Sequence, residues 1–216
     1  GMSLALEALG VPVVSGNVSL YNESAARRIY PTPVVGMVGS VDPDKALGHA
    51  FRSADEAIVL VGYGTPRLDG SEYLGAVGCP PVPDPPSEVA LGELLVAANE
   101  AGLITSAHDV GTGGLAVAIV ECSMPAGVGA TITAPDARRA DEALFGEGAG
   151  RVIVSCATHD LERLCALAAE DLDVTAIGET GGHNVTIASG TASVQASVAE
   201  LAATYDAAIP GALNEH

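Results

Sequence analysis

The sequence predicts an α/β (α+β) domain with a mixed sheet covered by helices, because short apolar strands alternate with helical segments along most of the chain. Of the 216 residues, 48% are hydrophobic, which is enough for a sizeable core and excludes intrinsic disorder. Aromatic residues make up only 3%, so Ala, Val, Leu and Ile must fill that core. The 26 glycines and 13 prolines indicate many tight turns between the elements.

The pattern of residues 1–53 predicts only part of a domain. A helix over residues 4–9 ends at Gly10, and short strands are expected at 11–15 and 32–39, with a polar loop over 16–23 between them. No helix covers these two strands. We therefore expect this part to be the end of a larger domain.

From residue 54 onwards the pattern is that of a self-contained layered domain. Ser87 is expected to cap the first helix, after a proline-rich loop over 64–86. The predicted strands cover residues 57–62, 104–107, 128–133, 151–156, 174–178 and 185–187. The predicted helices cover residues 87–101, 114–122, 138–144, 159–171 and 198–208.

The charge balance excludes several classes of function. Nine Lys and Arg against 27 Asp and Glu give a net charge of −18, so nonspecific binding to nucleic acid or to an anionic membrane is not expected. No apolar run approaches the roughly 18–20 residues of a membrane span, and no secretory signal opens the sequence. The four cysteines form no C-x-x-C pair, which favours reduced thiols in a cytoplasmic protein over a zinc site.

The polar loop over 16–23 has residue types that suit a phosphate ligand. Gly16 lets backbone N–H groups approach a ligand closely, Asn17 offers Mg²⁺ a neutral oxygen, and Ser19 offers a hydroxyl. The alternative is an ordinary turn in which Asn and Ser bond their own backbone.

A second loop, residues 108–114 (HDVGTGG), joins a strand to a helix. This geometry presents free N–H groups and the positive end of a helix dipole to an anion. No Lys follows the glycines, so the loop is not a P-loop. Asp109 is either a metal ligand or a cap, and a lone His108 is more often structural.

Two further motifs suit either close packing or a bound ligand. Residues 69–74 (DGSEYL) predict a turn and a helix capped by Ser71. Residues 144–154 (LFGEGAGRVIV) place glycines between a helix and a strand, where they suit either close packing or a bound ligand.

Taken together, these motifs resemble the C-terminal part of the phosphoribosylformylglycinamidine synthase family of purine biosynthesis. The family lies within the aminoimidazole ribonucleotide synthetase-like superfamily. The resemblance covers nearly the whole chain and rests on residues 11–23 (VPVVSGNVSLYNE), 31–36, 70–74, 107–116 and 144–152.

The resemblance implies the end of an ATP-binding N-type domain over residues 1–53 and a C-type domain over 54–216. The implied reaction converts formylglycinamide ribonucleotide, ATP and glutamine-derived ammonia to formylglycinamidine ribonucleotide, ADP and phosphate. The implied partners are the N-terminal part of the synthetase, a glutaminase subunit and a small accessory subunit. Self-association through residues 11–39 is also expected.

By motif, Gly16 falls at an ATP position, Asn17 at a Mg²⁺ position and Ser19 at a substrate position, with Asp109 as a second metal ligand. None of the family's catalytic residues falls within the chain, so these 216 residues alone are expected to be inactive. The second loop departs from the family pattern, because it lacks a hydroxyl at Gly111 and an acidic residue at Thr112.

Two other interpretations stay open at this point. One is a noncatalytic assembly or binding module of the same fold. The other is a different ATP-using member of the superfamily, of the selenophosphate synthetase or thiamine-phosphate kinase type.

Overall fold

The computed structural model describes residues 1–18, 23–25, 27–29, 32–75, 77–79, 82–135 and 139–214, with residue 214 described by its backbone only. The chain divides into two compact units, Gly1–Ala46 and Leu47–His216. The family-based boundary at 53/54 lies close to this division and stays a prediction.

Among its described residues, the first unit contains one α-helix, α1 (Met2–Leu9), which ends at Gly10 in a left-handed conformation, as predicted. A short 3-10 turn covers Pro43–Lys45. The strands predicted at 11–15 and 32–39 are wrong, because both segments are fully described and are extended or irregular without a paired strand. Pro12 and Pro33 have no backbone N–H to donate to a neighbouring strand, and a strand without a neighbour gains no hydrogen bonds.

The second unit contains a seven-stranded sheet in the order β2-β4-β1-β5-β3-β6-β7. Its strands are β1 (Glu56–Gly62), β2 (Ser106–Asp109), β3 (Ala130–Thr133), β4 (Arg151–Ala157), β5 (Asp173–Thr180), β6 (Asn184–Ser189) and β7 (Ala192–Ser197). Neighbouring strands are antiparallel except β3 and β6, which run parallel. The predicted mixed sheet is therefore confirmed.

Helices cover both faces of this sheet, as predicted. They are α2 (Pro85–Glu100), α3 (Gly114–Ser123), α4 (Ala140–Phe145), α5 (Leu161–Leu167) and α6 (Val198–Asn214). Residues of α3 and α4, with the start of α6, pack with Ile58 and Ile153 on one face. Residues of α2 and α5 pack with Val59 and Val154 on the other. Alternate residues of β1 and β4 thus enter two separate cores, as the continuous apolar runs of these strands indicate.

The helix after the proline-rich loop starts earlier than predicted. Asp84, not Ser87, is the N-cap of α2, and its carboxylate accepts hydrogen bonds from the Ser87 N–H (3.2 Å) and hydroxyl (2.6 Å). Proline is tolerated in the first helical turn because the N–H groups there have no partner within the helix. Pro85 and Pro86 therefore begin the helix.

Within the described ranges, no helix is both long enough and apolar enough to cross a membrane. No three His, Cys, Asp or Glu side chains of the described residues cluster closely enough to hold a metal ion.

Candidate functional site

The second unit contains a cavity of about 330 Å³ at the loop that precedes α3. It is lined by residues 69–70, 109–112 and 147–151, and we call it the three-loop cleft. Three of the four motifs in the sequence therefore meet at one place, although they are widely separated along the chain. Asp109 lies in this cleft, whereas Gly16 and Asn17 belong to the first unit.

Glu147 connects the three loops. Its Oε1 atom accepts hydrogen bonds from the Gly113 N–H and from the Glu72 N–H, both at 2.9 Å. The backbones of Glu147 and Arg67 also pair in both directions, at 2.9 and 3.0 Å. One carboxylate thus satisfies the N–H at the N-cap of α3 and the first N–H of a 3-10 turn, Glu72–Leu74.

Asp109 stands at the open side of the cleft, with its side chain 80% exposed. Its Oδ1 atom is 3.4 Å from Nδ1 of His108, and Nε2 of His108 is 3.0 Å from Oε2 of Glu121. His108 therefore links the end of β2 to α3, which is the structural role that the sequence favoured. A Cβ atom at Gly111 would lie 2.9 Å from Oδ2 of Asp109, so the glycine leaves room for this carboxylate.

The glycines at 146 and 150 are required by packing. A Cβ atom at Gly146 would lie 2.3 Å from the Glu142 carbonyl oxygen. At Gly150, where φ is +71°, it would lie 2.1 Å from Cε1 of Tyr63. For these two positions the structure favours packing over ligand contact. Ser71 occupies an N-cap position but does not cap, because its hydroxyl donates backwards to the Leu68 carbonyl at 2.6 Å.

Arg151 is a functional candidate that the motif analysis did not single out. The residue lies at the start of β4 and is among those that line the cleft, yet it is only 5% exposed. Burial lowers the pKa of its guanidinium to about 10. The available signal in the sequence was a charged residue directly before the buried apolar strand Val-Ile-Val.

The polar loop of the first unit is open to solvent. Gly16 and Asn17 are exposed, and a Cβ atom at Gly16 would meet no atom within 4 Å. The alternative of a self-bonded turn at Asn17 involves residues 19–22, which lie outside the described residues, and it stays an alternative. Ser19 lies outside the described residues.

Asn17 and Asp109 each fit Mg²⁺ as one ligand among several. Mg²⁺ prefers oxygen atoms and takes one or two from protein side chains, with water and phosphate oxygens completing its octahedron. An amide oxygen and a carboxylate suit that role. No three His, Cys, Asp or Glu side chains cluster around either residue in the described ranges, so these residues alone do not form a complete metal centre.

Comparison with protein families gives a match over residues 54–189 to the family described as AIR synthase related protein, C-terminal domain. The chain is 43% identical over 230 aligned residues to phosphoribosylformylglycinamidine synthase subunit PurL of Anaeromyxobacter sp. strain Fw109-5, covering 99% of this chain and 30% of that protein. It is 40% identical to the PurL of Thermus thermophilus, covering 96% of this chain and 29% of that protein. The chain therefore spans about 30% of the length of these curated relatives.

Solved structures show the same fold. PurL of T. maritima complexed with ATP matches with a TM-score of 0.62 at 24% identity, covering 75% of this chain and 28% of that one. The PurLQS structure from Thermotoga maritima matches with a TM-score of 0.63, also at 24% identity. These structures confirm the fold class, and the family match and the curated relatives confirm the resemblance inferred from the sequence.

Proposed function

Since the chain belongs to the AIR synthase related proteins, through their C-terminal domain, we propose that it is part of a phosphoribosylformylglycinamidine synthase. The proposed enzyme is a cytoplasmic ATP-dependent ligase that joins ammonia from glutamine to formylglycinamide ribonucleotide, releasing ADP and phosphate. The observation that carries this proposal is the 43% identity to a curated PurL over 99% of the chain. It favours this ligase over the selenophosphate synthetase and thiamine-phosphate kinase types.

The chain's own contribution is to bind and orient the substrates rather than to transfer protons. Gly16 leaves its backbone open to the phosphates of ATP, and the exposed Asn17 amide supplies one oxygen to Mg²⁺. Bound there, Mg²⁺ neutralises phosphate charge during transfer. Ser19 contacts the ribonucleotide substrate, and Asp109 is a ligand for a second metal ion. The exposure of Asn17 supports its assignment, because its amide is accessible to an ion from solvent.

The partners proposed are the remainder of the synthetase, a glutaminase subunit and a small accessory subunit. A further contact is self-association through residues 11–39, where four valines are 61% to 93% exposed: Val13, Val14, Val34 and Val35. Such a concentration of exposed apolar side chains is typical of an interaction surface. Light scattering over a range of concentrations should show a dimer or larger species, and a strict monomer would contradict this contact.

The ligase assignment can be tested in a chimaera. The segment of Thermus thermophilus PurL that aligns with this chain is replaced by the 216 residues, and substrate-dependent ADP release is measured with ammonia. We expect turnover, because the chain would supply the loop that orients ATP and Mg²⁺. Asn17→Ala should lower kcat/KM by about tenfold or more, which corresponds to about 1.4 kcal/mol. Its melting temperature should stay unchanged.

Gln195→Ala is the matched control, because it also removes an exposed amide, on β7. It should keep parental kinetics. Parental kinetics in Asn17→Ala, or a defect confined to its melting temperature, would show that the loop is only a structural turn. A chimaera that folds and binds the glutaminase subunit without turnover would instead indicate the noncatalytic assembly module.

A further inference from the structure

The two edges of the seven-stranded sheet differ in how they are protected. At one edge, the Ala107 N–H of β2 donates to the Gly48 carbonyl of a loop at 3.1 Å, and Asp109 places a charge at the end of the strand. At the other edge, β7 contains no proline and no charged residue. Natural proteins usually put charges, prolines or a covering segment on an edge strand, because its free backbone groups can pair with another chain. Strand β7 therefore has the properties of a strand that pairs.

The backbone of β7 presents every second residue to solvent. The Val198 N–H donates to the His183 carbonyl at 2.9 Å, in the same register as the β6–β7 pairs. Hydrogen-bonded and non-hydrogen-bonded pairs alternate along an antiparallel ladder. Counting back from Val198, the N–H and C=O groups of Ser193, Gln195 and Ser197 therefore point away from β6.

The free stretch of this edge is short. The Ser197 N–H is already used, because it donates to the Glu200 carboxylate at 3.1 Å. The N–H groups of Ser193 and Gln195 make no hydrogen bond to any residue that the structure describes. Two free backbone positions thus remain, with Val194 between them.

The surroundings of β7 are neutral and apolar. No Asp, Glu, Lys or Arg occurs between Glu179 and Glu200, although the whole chain has a net charge of −18. An acidic molecule can approach this part of the surface with less repulsion than it would meet elsewhere. Val194 is 55% exposed, and it lies opposite Ile187 of β6, which is 3% exposed. The apolar face of the sheet therefore extends to its open edge.

We propose that β7 pairs with β7 of a second copy of this chain, in antiparallel orientation, about a twofold axis that passes between the two Val194 residues. In this register Ser193 of each copy lies opposite Gln195 of the other, and the two residues exchange both of their backbone hydrogen bonds. The two Val194 residues form the non-hydrogen-bonded pair, in which Cα atoms are about 4.5 Å apart. The contact is self-complementary, as a twofold interface requires.

A second copy fits this edge better than a foreign strand does. It matches the free stretch in length, in neutrality and in register, whereas a longer strand would reach the Glu200 carboxylate beside Ser197. The pairing uses the backbone of Gln195 and not its amide side chain. It is separate from residues 11–39 and goes beyond the proposed function, so it can fail while the ligase assignment stands.

The test is sedimentation velocity of the full chain at concentrations up to about 0.5 mM, because a small interface is expected to be weak. The parent should form a larger species as concentration rises. Val194→Lys and Val194→Glu should each weaken this association by tenfold or more, because each places two like charges directly opposite one another. An equimolar mixture of the two variants should restore the association, since the opposed charges then attract.

A second pair of variants tests the backbone bonds. Gln195→Pro removes an outward N–H, and proline is tolerated on an edge strand where its N–H would face solvent. This variant should fold but should not form the larger species. Gln195→Ala is the matched control, because it keeps the N–H and should associate like the parent. Amide hydrogen exchange at Ser193 and Gln195 should slow in the parent as concentration rises.

Val14→Lys separates this contact from the one proposed for residues 11–39. It should leave the concentration-dependent protection of the Ser193 and Gln195 amides unchanged. A monomeric parent would overturn the pairing of β7. Equal association of the parent and both Val194 variants, or a mixture of those variants that stays dissociated, would overturn it as well.

Discussion

Glu147→Ala should loosen the three-loop cleft while leaving both hydrophobic cores in place. The substitution removes the carboxylate that accepts from the Gly113 and Glu72 N–H groups at 2.9 Å. Both donors then depend on water, and the loop before α3 loses its tie to the 3-10 turn. The backbone pairing between Glu147 and Arg67 does not involve the side chain and should remain.

The size of the effect follows from these two bonds. A hydrogen bond to a charged acceptor contributes roughly 1.5–3 kcal/mol in favourable cases. Glu147 is half-buried, so water replaces part of each bond, and a total loss of about 2–3 kcal/mol is expected. For a unit of this size that corresponds to a fall in Tm of about 4–12 °C. Glu147→Gln keeps an acceptor oxygen and should lose about 1 kcal/mol or less.

Thermal unfolding followed by circular dichroism measures the loss, and amide hydrogen exchange localises it. Exchange should accelerate at Gly113 and Glu72 more than in the strands. Glu93→Ala is the matched control, because Glu93 is exposed on α2, and it should change stability by less than about 0.5 kcal/mol. Equal melting temperatures for the Glu147 and Glu93 variants, or unchanged exchange at both amides, would refute the reasoning.

Two further outcomes are expected. Gly150→Ala should lower the free energy of unfolding in urea by about 3 kcal/mol or more, because a Cβ at φ +71° would collide with the Tyr63 ring. Gly92→Ala, in open space on α2, should instead raise it by about 0.5–1 kcal/mol. Equal urea midpoints for the two variants would contradict this. The Ser197 hydroxyl and N–H bond the Glu200 carboxylate and lower its pKa, so that carboxylate stabilises the fold above its unfolded pKa and stops doing so as pH falls through the folded value. The stability difference between the parent and Glu200→Gln should therefore be largest near pH 7 and should shrink as the pH is lowered below the usual pKa of a glutamate, and a difference independent of pH would exclude this role.

The sequence predicted the elements of the second unit because their signals are local. The apolar run of β1 and the helical spacing of Leu91, Leu94 and Ala98 in α2 are visible in short windows. The strand order and the parallel β3–β6 pair are not, since they depend on contacts between distant segments. Strand β7 was missed because it has one large apolar residue, Val194, which lies exposed.

In the first unit, local signals were misleading. The Pro-Val-Val runs beginning at Pro12 and Pro33 have strand-like composition, but a strand also needs a neighbour, and composition carries no information about one. Without a neighbouring strand, the valines of both runs are exposed.

The candidate site was predicted residue by residue but not as an assembly. The motifs containing Asp109 and Glu147 were identified, yet their convergence on one cleft follows from the sheet order. The burial of Arg151, which forms no ion pair with the described residues, follows from the position of β4 inside the sheet, and an isolated Arg in a sequence is usually an exposed residue.

The position of β1 has a consequence for synthesis of the chain. Its two neighbours, β4 and β5, lie about a hundred residues further along. At translation rates of roughly 5–20 residues per second, the apolar β1 waits ~5–20 seconds on the ribosome before either neighbour exists. During that interval its unpaired N–H and C=O groups, and side chains such as Ile58 and Val59, are open to other nascent chains. Production of this protein should therefore benefit from slower initiation, lower temperature or chaperones that bind extended apolar segments.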